Sequence, residues 1–200
     1  MKITGIKQQV RRGERYSIFV EGEYAFSLSE TALLDSKLAS GQELSQQEVS
    51  DYKKLSVDDK LYAQTLRYVA MRPRTKWEIS VYLDRKKASP PLVEEILNKL
   101  SNIGLIDDKK YAQAFVNDRR LLRPTSRRKL IMELRKKHVA TDLIEEAVGT
   151  EREDEQASLG AVIETKRRQA KYQDDLKLMQ YLARQGFNYG DIKDAIKNQD

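Results

Sequence analysis

The hydrophobic positions of residues 75–97 recur twice further along the chain in the same order. A shift of 51 residues places this stretch on residues 126–148, and a further shift of 48 places it on residues 174–196. Three residues coincide at each of five apolar positions, and the spacing of these positions is helical. The coinciding residues are Ile79/Leu130/Leu178, Leu83/Leu134/Leu182, Val93/Ile144/Ile192, Ile96/Ala147/Ala195 and Leu97/Val148/Ile196. The pattern predicts a helical repeat of about fifty residues.

Polar residues mark where the predicted helices begin and end. Thr75, Ser126 and Asp174 coincide, and each side chain can accept hydrogen bonds from unpaired amides at a helix start. A preceding helix ends at Arg72-Pro73 in the first repeat and at Arg123-Pro124 in the second, because proline disfavours helical geometry in the residue before it. With a third helix after each pair, every repeat is predicted to consist of three short helices.

The first residues of the chain have a different pattern. Alternating apolar and polar residues on both sides of Glu21-Gly22 predict a β-hairpin, with a further strand at Lys2–Val10 and a short helix at Ser29–Leu38. Ser45 and Glu48 form a capping box, which opens a helix that either continues past Leu55 or breaks before Asp58.

These patterns predict a mainly α fold made of tandem three-helix repeats, elongated and curved, with a small N-terminal region that contains a β-hairpin or sheet. We expect four segments: an N-terminal β-rich region with short helices at residues 1–56, then repeats at residues 57–106, 107–149 and 150–200.

Composition excludes several classes of site. The chain has no Cys, which excludes disulfides and thiolate chemistry, and it has no Gly-rich phosphate loop. No apolar run approaches the roughly 20 residues that a membrane-spanning helix needs. We expect a cytoplasmic monomer that does not bind membranes and carries no cofactor.

The candidates for catalysis have simpler interpretations. His138, the single histidine, falls where a helix is predicted to end. The acidic pairs Asp58-Asp59, Asp107-Asp108 and Asp174-Asp175 could bind a metal in a nuclease, but each stands where a helix is predicted to begin, and we interpret them as capping residues. We therefore expect no catalytic residue and no metal site. Trp77 fits either a core or a contact surface.

The distribution of charge is more informative about function than these candidates for catalysis are. The net charge is +6, and nine basic residues but only one acid lie between Arg119 and Lys137. This concentration fits a polyanion or an acidic protein surface, and it also fits a solvated helix face. Basic residues recur at matching positions, which are Arg72, Arg123 and Lys171, and then Arg85, Lys136 and Arg184. The candidate binding surface comprises these six together with Arg74, Lys76, Arg119, Arg120, Arg127, Arg128, Lys129, Arg135 and Lys137.

Three blocks of residues carry a family resemblance. Residues 68–79, YVAMRPRTKWEI, followed by Tyr82-Leu83, resemble the RecX signature of a helix, an Arg-Pro-Arg break and a second helix. Residues 100–115, with GLIDD at 104–108, resemble the next block of that family, and residues 182–187, LARQGF, resemble the third. The resemblance covers residues 61–196, and the residues before it are similar to the extra N-terminal region of longer RecX proteins.

RecX proteins regulate the RecA recombinase. The resemblance implies tandem three-helix repeats that bind along the RecA–DNA filament and usually restrain strand exchange, ATP hydrolysis and co-protease activity, in DNA repair and the SOS response. Direct contact with DNA is also implied for some members. Two alternatives stay open from the residues alone: a general DNA-binding repeat protein, and a metal-dependent nuclease that uses the paired acids.

Overall fold

The computed structural model describes residues 1–10, 12–150 and 152–197, and these are mostly helical. The strands are β1 (Ile3–Gln9), β2 (Arg12–Val20) and β3 (Glu23–Ser29). The helices are α1 (Glu30–Ser36), α2 (Gln46–Ala70), α3 (Lys76–Arg85), α4 (Pro90–Asn102), α5 (Asp108–Leu122), α6 (Arg127–Lys136), α7 (Thr141–Val148), α8 (Arg152–Arg167), α9 (Asp175–Arg184) and α10 (Tyr189–Lys197). The predicted fold class, mainly α with three-helix units and an N-terminal sheet, is confirmed.

The chain folds as two compact units. The first contains residues 1–72 and 87–100, and the second contains residues 73–86 and the described residues from 101 onward. The first unit thus includes the sheet, α1, α2 and most of α4. The second unit includes α3 and α5 to α10.

The sheet of the first unit is antiparallel, with β2 between β1 and β3. Glu21 and Gly22 join β2 to β3 with φ angles of 52° and 85°, the left-handed values that a two-residue hairpin loop requires. The predicted hairpin is confirmed. The buried face of the sheet, which includes Ile18 and Phe26, packs with Val49 of α2 in one core.

Helix α2 begins at the predicted capping box and continues without a break for 25 residues. Ser45 accepts the amide of Glu48, and the Glu48 carboxylate accepts the amide of Ser45. The stretch from 46 to 70 contains neither Gly nor Pro, so nothing in it interrupts the helix.

The interpretation of Asp58-Asp59 as a helix start is therefore wrong. Both residues lie within α2, and Asp59 joins the helix to the sheet. Its carboxylate accepts hydrogen bonds from the Arg15 guanidinium at 2.8 Å, from the Ser29 amide at 2.8 Å and from the Ser29 hydroxyl at 2.6 Å. Arg15 is only 6% exposed, which makes this a buried ion pair.

In the second unit, α3, α6 and α9 are the helices that the sequence repeat predicted to be equivalent. Thr75, Ser126 and Asp174 are their N-cap residues, as predicted, and each side chain accepts an amide of its own first turn. The predicted apolar positions of these helices are all 2% exposed or less, and they are Ile79, Leu83, Leu130, Leu134, Leu178 and Leu182.

The residue that follows these helices also recurs. Lys87, His138 and Gly186 have φ angles of 61°, 54° and 95°. The amide of Val139 donates to the Leu134 carbonyl, and the amide of Phe187 donates to the Leu182 carbonyl, which are the bonds of a Schellman helix end. The prediction that His138 is a helix-end residue is confirmed.

The last three helices differ slightly from prediction. Between α8 and α9 a 3₁₀ turn, Ala170–Tyr172, occupies the place of the earlier Arg-Pro breaks. Arg167 donates hydrogen bonds to the carbonyls of Tyr172 and Gln173 and so fixes this turn. The sequence pattern predicts the last helix over Asn188–Asn198, whereas α10 is Tyr189–Lys197, and Asn198 lies outside the described residues.

Candidate interaction surface

Two equivalent junctions hold helices together in the second unit. The Thr75 hydroxyl donates to the Lys137 carbonyl at 3.0 Å, and the Ser126 hydroxyl donates to the Gln185 carbonyl at 2.6 Å. Both hydroxyl residues are fully buried. The two donors correspond in the repeat alignment, and so do the two acceptors. Each hydroxyl therefore caps its own helix and also bonds to the end of the next equivalent helix.

A carboxylate completes each junction. The amide of Lys76 donates to Asp108 at 2.9 Å, and the amide of Arg127 donates to Glu155 at 2.7 Å. Burial is the largest influence on both acids and raises the pKa of the Asp108 carboxyl and of the Glu155 carboxyl. Negative charge at a helix N-terminus is favoured by the helix dipole, which offsets part of that burial cost.

The rims of the two junctions use different side chains at matching positions. The Trp77 ring stacks on His138 with the ring centroids 4.1 Å apart, whereas the equivalent Arg128 packs against Gly186. Trp77 is 39% exposed, so it lies at the edge of a junction and is neither core nor fully free surface.

The ionic and polar side-chain pairs at the rims also differ between the two junctions. Lys137 forms an ion pair with Glu78 at 2.7 Å, and at the matching place Lys129 donates to the Gln185 side chain at 2.8 Å. Both junctions thus contain the same hydrogen bond from a hydroxyl to a backbone carbonyl, whereas the side chains around it differ.

Five of the fifteen candidate cations serve the structure itself. Arg119 pairs with Glu133 at 3.0 Å, and Arg120 pairs with Asp154 at 2.8 Å. The other three are Arg127, Lys129 and Lys137. Its place in the basic run predicts that Arg127 is exposed, as Arg123 and Arg128 are. This prediction is wrong: Arg127 is half-buried, because its guanidinium donates to the Gly149 carbonyl at 2.8 Å.

The remaining ten candidates differ in exposure and in their contacts. Arg72 is exposed and Arg74 is half-buried. Lys171 is exposed and its ammonium lies 5.6 Å from the centre of the Tyr172 ring. Seven others are exposed and form no ion pair within the described residues, and they are Lys76, Arg85, Arg123, Arg128, Arg135, Lys136 and Arg184.

The acidic pairs have structural roles in the described chain. Asp107 caps α5 by accepting the amide of Lys110, and Asp174 caps α9 by accepting the amide of Lys177. Asp175 pairs with Arg167 at 2.5 Å. Across residues 1–10, 12–150 and 152–197 no group of three or more His, Asp or Glu side chains is placed to hold a metal ion. No helix in those ranges is long and apolar enough to cross a membrane.

Sequence reasoning did not identify the junctions. Recurrence of a hydroxyl residue at Thr75 and Ser126 was the available signal, but an N-cap role accounts for it without a second partner. The carbonyl acceptors lie 62 and 59 residues further along the chain.

Family models match three parts of the chain. Residues 1–45 match the regulatory protein RecX N-terminal domain, residues 62–100 match the first RecX three-helix domain, and residues 107–148 match the second. The matches include Thr75 and Ser126, the two hydroxyl donors of the junctions.

Curated relatives and solved structures agree with these matches. The regulatory protein RecX of Lactobacillus delbrueckii subsp. bulgaricus is 32% identical, over 97% of this chain and 73% of the relative. That of Bacillus pumilus is 26% identical, over 98% of this chain and 76% of the relative. A crystal structure described as regulatory protein RecX superposes with a TM-score of 0.78 at 27% identity, covering 96% of this chain and 98% of that one.

A crystal structure of RecX from Lactobacillus salivarius shows the same fold at lower similarity. Its TM-score is 0.61 at 23% identity, and the match covers 70% of this chain and 95% of that one. The relationship to the L. delbrueckii protein extends over nearly the whole of the present sequence. This chain therefore belongs to the RecX family of regulatory proteins.

Proposed function

We propose that this protein regulates the RecA recombinase by binding along the RecA–DNA filament. In this role it inhibits recombinase, ATPase and co-protease activities during DNA repair and the SOS response. Membership of the RecX family is the observation that carries the proposal. The protein acts without catalysis or a cofactor, as a monomer in the cytoplasm.

The exposed cations support binding to an acidic filament. Seven of the fifteen candidate cations are exposed and have neither an ion-pair partner nor a ring contact in the described chain, so they can bind carboxylates or phosphates without breaking an internal ion pair. Arginine suits both groups because its planar guanidinium forms paired hydrogen bonds.

General DNA binding is the second candidate, and the same free cations favour it. The charge of α7 argues against one common mode of DNA binding, in which a helix of a three-helix domain enters the major groove. In three-helix DNA-binding domains the last helix enters the major groove. In the unit of α5, α6 and α7 that helix exposes Asp142, Glu145 and Glu146 and carries no basic residue. Such a face repels phosphate.

Single-stranded-DNA-dependent ATP hydrolysis by RecA tests the proposal. The protein is titrated at moderate salt, and its binding to the same naked DNA is followed in parallel by fluorescence anisotropy. We expect hydrolysis to fall at protein concentrations too low to coat the DNA. Inhibition that appears only as the DNA becomes coated would indicate competition for DNA and would favour the second candidate.

A further inference from the structure

The outer face of α6 combines three cations with one apolar side chain. Arg128, Met132, Arg135 and Lys136 occupy positions i, i+4, i+7 and i+8, which place them on one side of the helix. The opposite side carries Leu130 and Leu134, which are 2% and 0% exposed. The four residues, here called the α6 face, therefore point away from the core.

The charged groups and the methionine of the α6 face are accessible in the described structure, although the aliphatic part of Arg128 packs against Gly186. Met132 is 48% exposed, and Arg128, Arg135 and Lys136 are exposed and form no ion pair among the described residues. The helix itself is held firmly, because the Ser126 hydroxyl and the Lys129 ammonium both bond to Gln185. The face is thus a fixed surface on an anchored helix.

This combination is specific to α6 and is not a property of every repeat. The positions equivalent to Arg135 are Asp84 in α3 and Ala183 in α9, and those equivalent to Met132 are Val81 and Gln180. The last cation recurs in all three helices, as Arg85, Lys136 and Arg184. If the fold itself required these side chains, α3 and α9 would carry more of them at the equivalent positions.

The chemistry of the α6 face distinguishes a protein from a nucleic-acid partner. A phosphate backbone attracts the three cations but gains little from the exposed methionine among them. A protein groove that has an apolar floor and acidic edges uses both, as helices that dock through i, i+4 and i+7 positions do. Methionine and arginine are both enriched in protein interfaces, and methionine adapts well to uneven apolar surfaces.

From this pattern we infer that α6 is a docking helix for an acidic protein groove with an apolar floor. The inference rests on the proposed function and deepens it: the groove belongs to the protein component of the RecA filament, and α6 does not bind the DNA. Met132 enters the floor of the groove, while Arg128, Arg135 and Lys136 pair with carboxylates at its edges.

Met132→Gln tests the apolar contact, because glutamine has nearly the same shape and helix propensity as methionine. Leu176→Gln is the matched control, since Leu176 is 65% exposed on α9 at the position equivalent to Arg128. Binding is measured to RecA filaments assembled on single-stranded DNA and, separately, to the naked DNA. We expect Met132→Gln to weaken filament binding at least about fivefold. Naked-DNA affinity, the unfolding midpoint and the Leu176→Gln variant should stay unchanged.

Arg135→Gln tests the ionic contact in the same two assays, and we expect it to weaken filament binding. The inference is overturned if Met132→Gln binds filaments normally, if Leu176→Gln loses as much affinity, or if Arg135→Gln weakens only naked-DNA binding. Failure of the unmutated protein to bind filaments would overturn the proposed function and this inference together. Normal filament binding by Met132→Gln would overturn the inference alone.

Discussion

At the scale of single residues, Gly186 shows how closely one junction is packed. Its φ is 95°, and a Cβ at this position would lie 2.9 Å from the Ser126 hydroxyl oxygen. A side chain there would be strained in conformation and would also press on the hydroxyl that bonds to the Gln185 carbonyl.

Gly186→Ala should therefore destabilise the second unit. We expect a loss of about 1–3 kcal/mol in the free energy of unfolding, measured by denaturant titration. Gly160→Ala is the matched control: Gly160 lies within α8, and a Cβ there meets nothing within 4 Å. The control should be neutral or stabilise by up to about 1 kcal/mol. Equal stability of the two variants would contradict the packing described for Gly186.

The ion pair of Arg15 and Asp59 is the second residue-scale feature with a measurable consequence. Asp59→Ala would leave a buried guanidinium without its carboxylate, and we expect the first unit to lose about 3–5 kcal/mol of unfolding free energy. Glu94→Ala, at an exposed position of α4 in the same unit, serves as control. If joint replacement of Arg15 by Met and Asp59 by Leu costs as much as Asp59→Ala, the loss does not arise from an unpaired charge.

At the scale of elements, the hydroxyl junctions account for the attachment of α3 to α6 and of α6 to α9. Thr75 and Ser126 each have two roles, as helix cap and as donor to a distant carbonyl. Removal of the hydroxyl ends both roles at a buried position.

Thr75→Ala and Ser126→Ala should each cost about 1–3 kcal/mol in unfolding free energy. Thr75→Ser keeps the hydroxyl and should retain most of the stability. The junction account would be contradicted if Thr75→Ser were as unstable as Thr75→Ala.

The junction carboxylates predict a pH dependence. Burial raises the pKa of Asp108 and of Glu155 above the ordinary values of 3.8 and 4.5. The native state therefore holds these protons more tightly than the unfolded state does. The contribution of these two groups to stability falls as pH rises from their ordinary pKa values to the raised ones.

The double variant Asp108→Asn, Glu155→Gln cannot ionise at either position but still offers an acceptor oxygen to the amides of Lys76 and Arg127. We expect the wild type to lose stability relative to this variant as pH rises above about 4, because the unfolded state begins to lose these protons there while the native state still holds them. Thermal unfolding at several pH values measures the difference, and a difference that stays constant would show that neither carboxyl has a raised pKa.

Local and periodic features of the fold could be predicted from the sequence. N-caps such as Thr75 and the buried position Leu134 depend on near neighbours and on helical spacing, both of which are visible in one chain. Asp59 was misinterpreted because its partner Arg15 is 44 residues away. The burial of Arg127 could not be predicted, because a charged residue in a basic run gives no sign of the Gly149 carbonyl that binds it.

The division into repeats at 57–106, 107–149 and 150–200 stays a prediction. Helix α2 runs without interruption across residue 57, where the first of these repeats was predicted to begin.

At the scale of the whole molecule, the structure separates cations that hold the fold from cations that are free. Replacement of Arg123 and Arg128 by Gln should change the unfolding free energy by no more than about 0.5 kcal/mol, because both are exposed without an ion pair in the described chain. The same variant should inhibit RecA less strongly in the ATPase assay. Arg127→Gln is the contrasting variant, since loss of its bond to Gly149 should lower stability.

Co-sedimentation with RecA filaments tests the central claim most directly. Filaments are assembled on single-stranded DNA, and binding is measured at a salt concentration high enough to abolish binding of this protein to the naked strand, since DNA affinity that depends on phosphate contacts falls steeply with salt. We predict that the protein still sediments with the filaments and that binding saturates with RecA and not with free DNA. Loss of filament binding at the same salt concentration that abolishes naked-DNA binding would contradict recognition of the RecA filament.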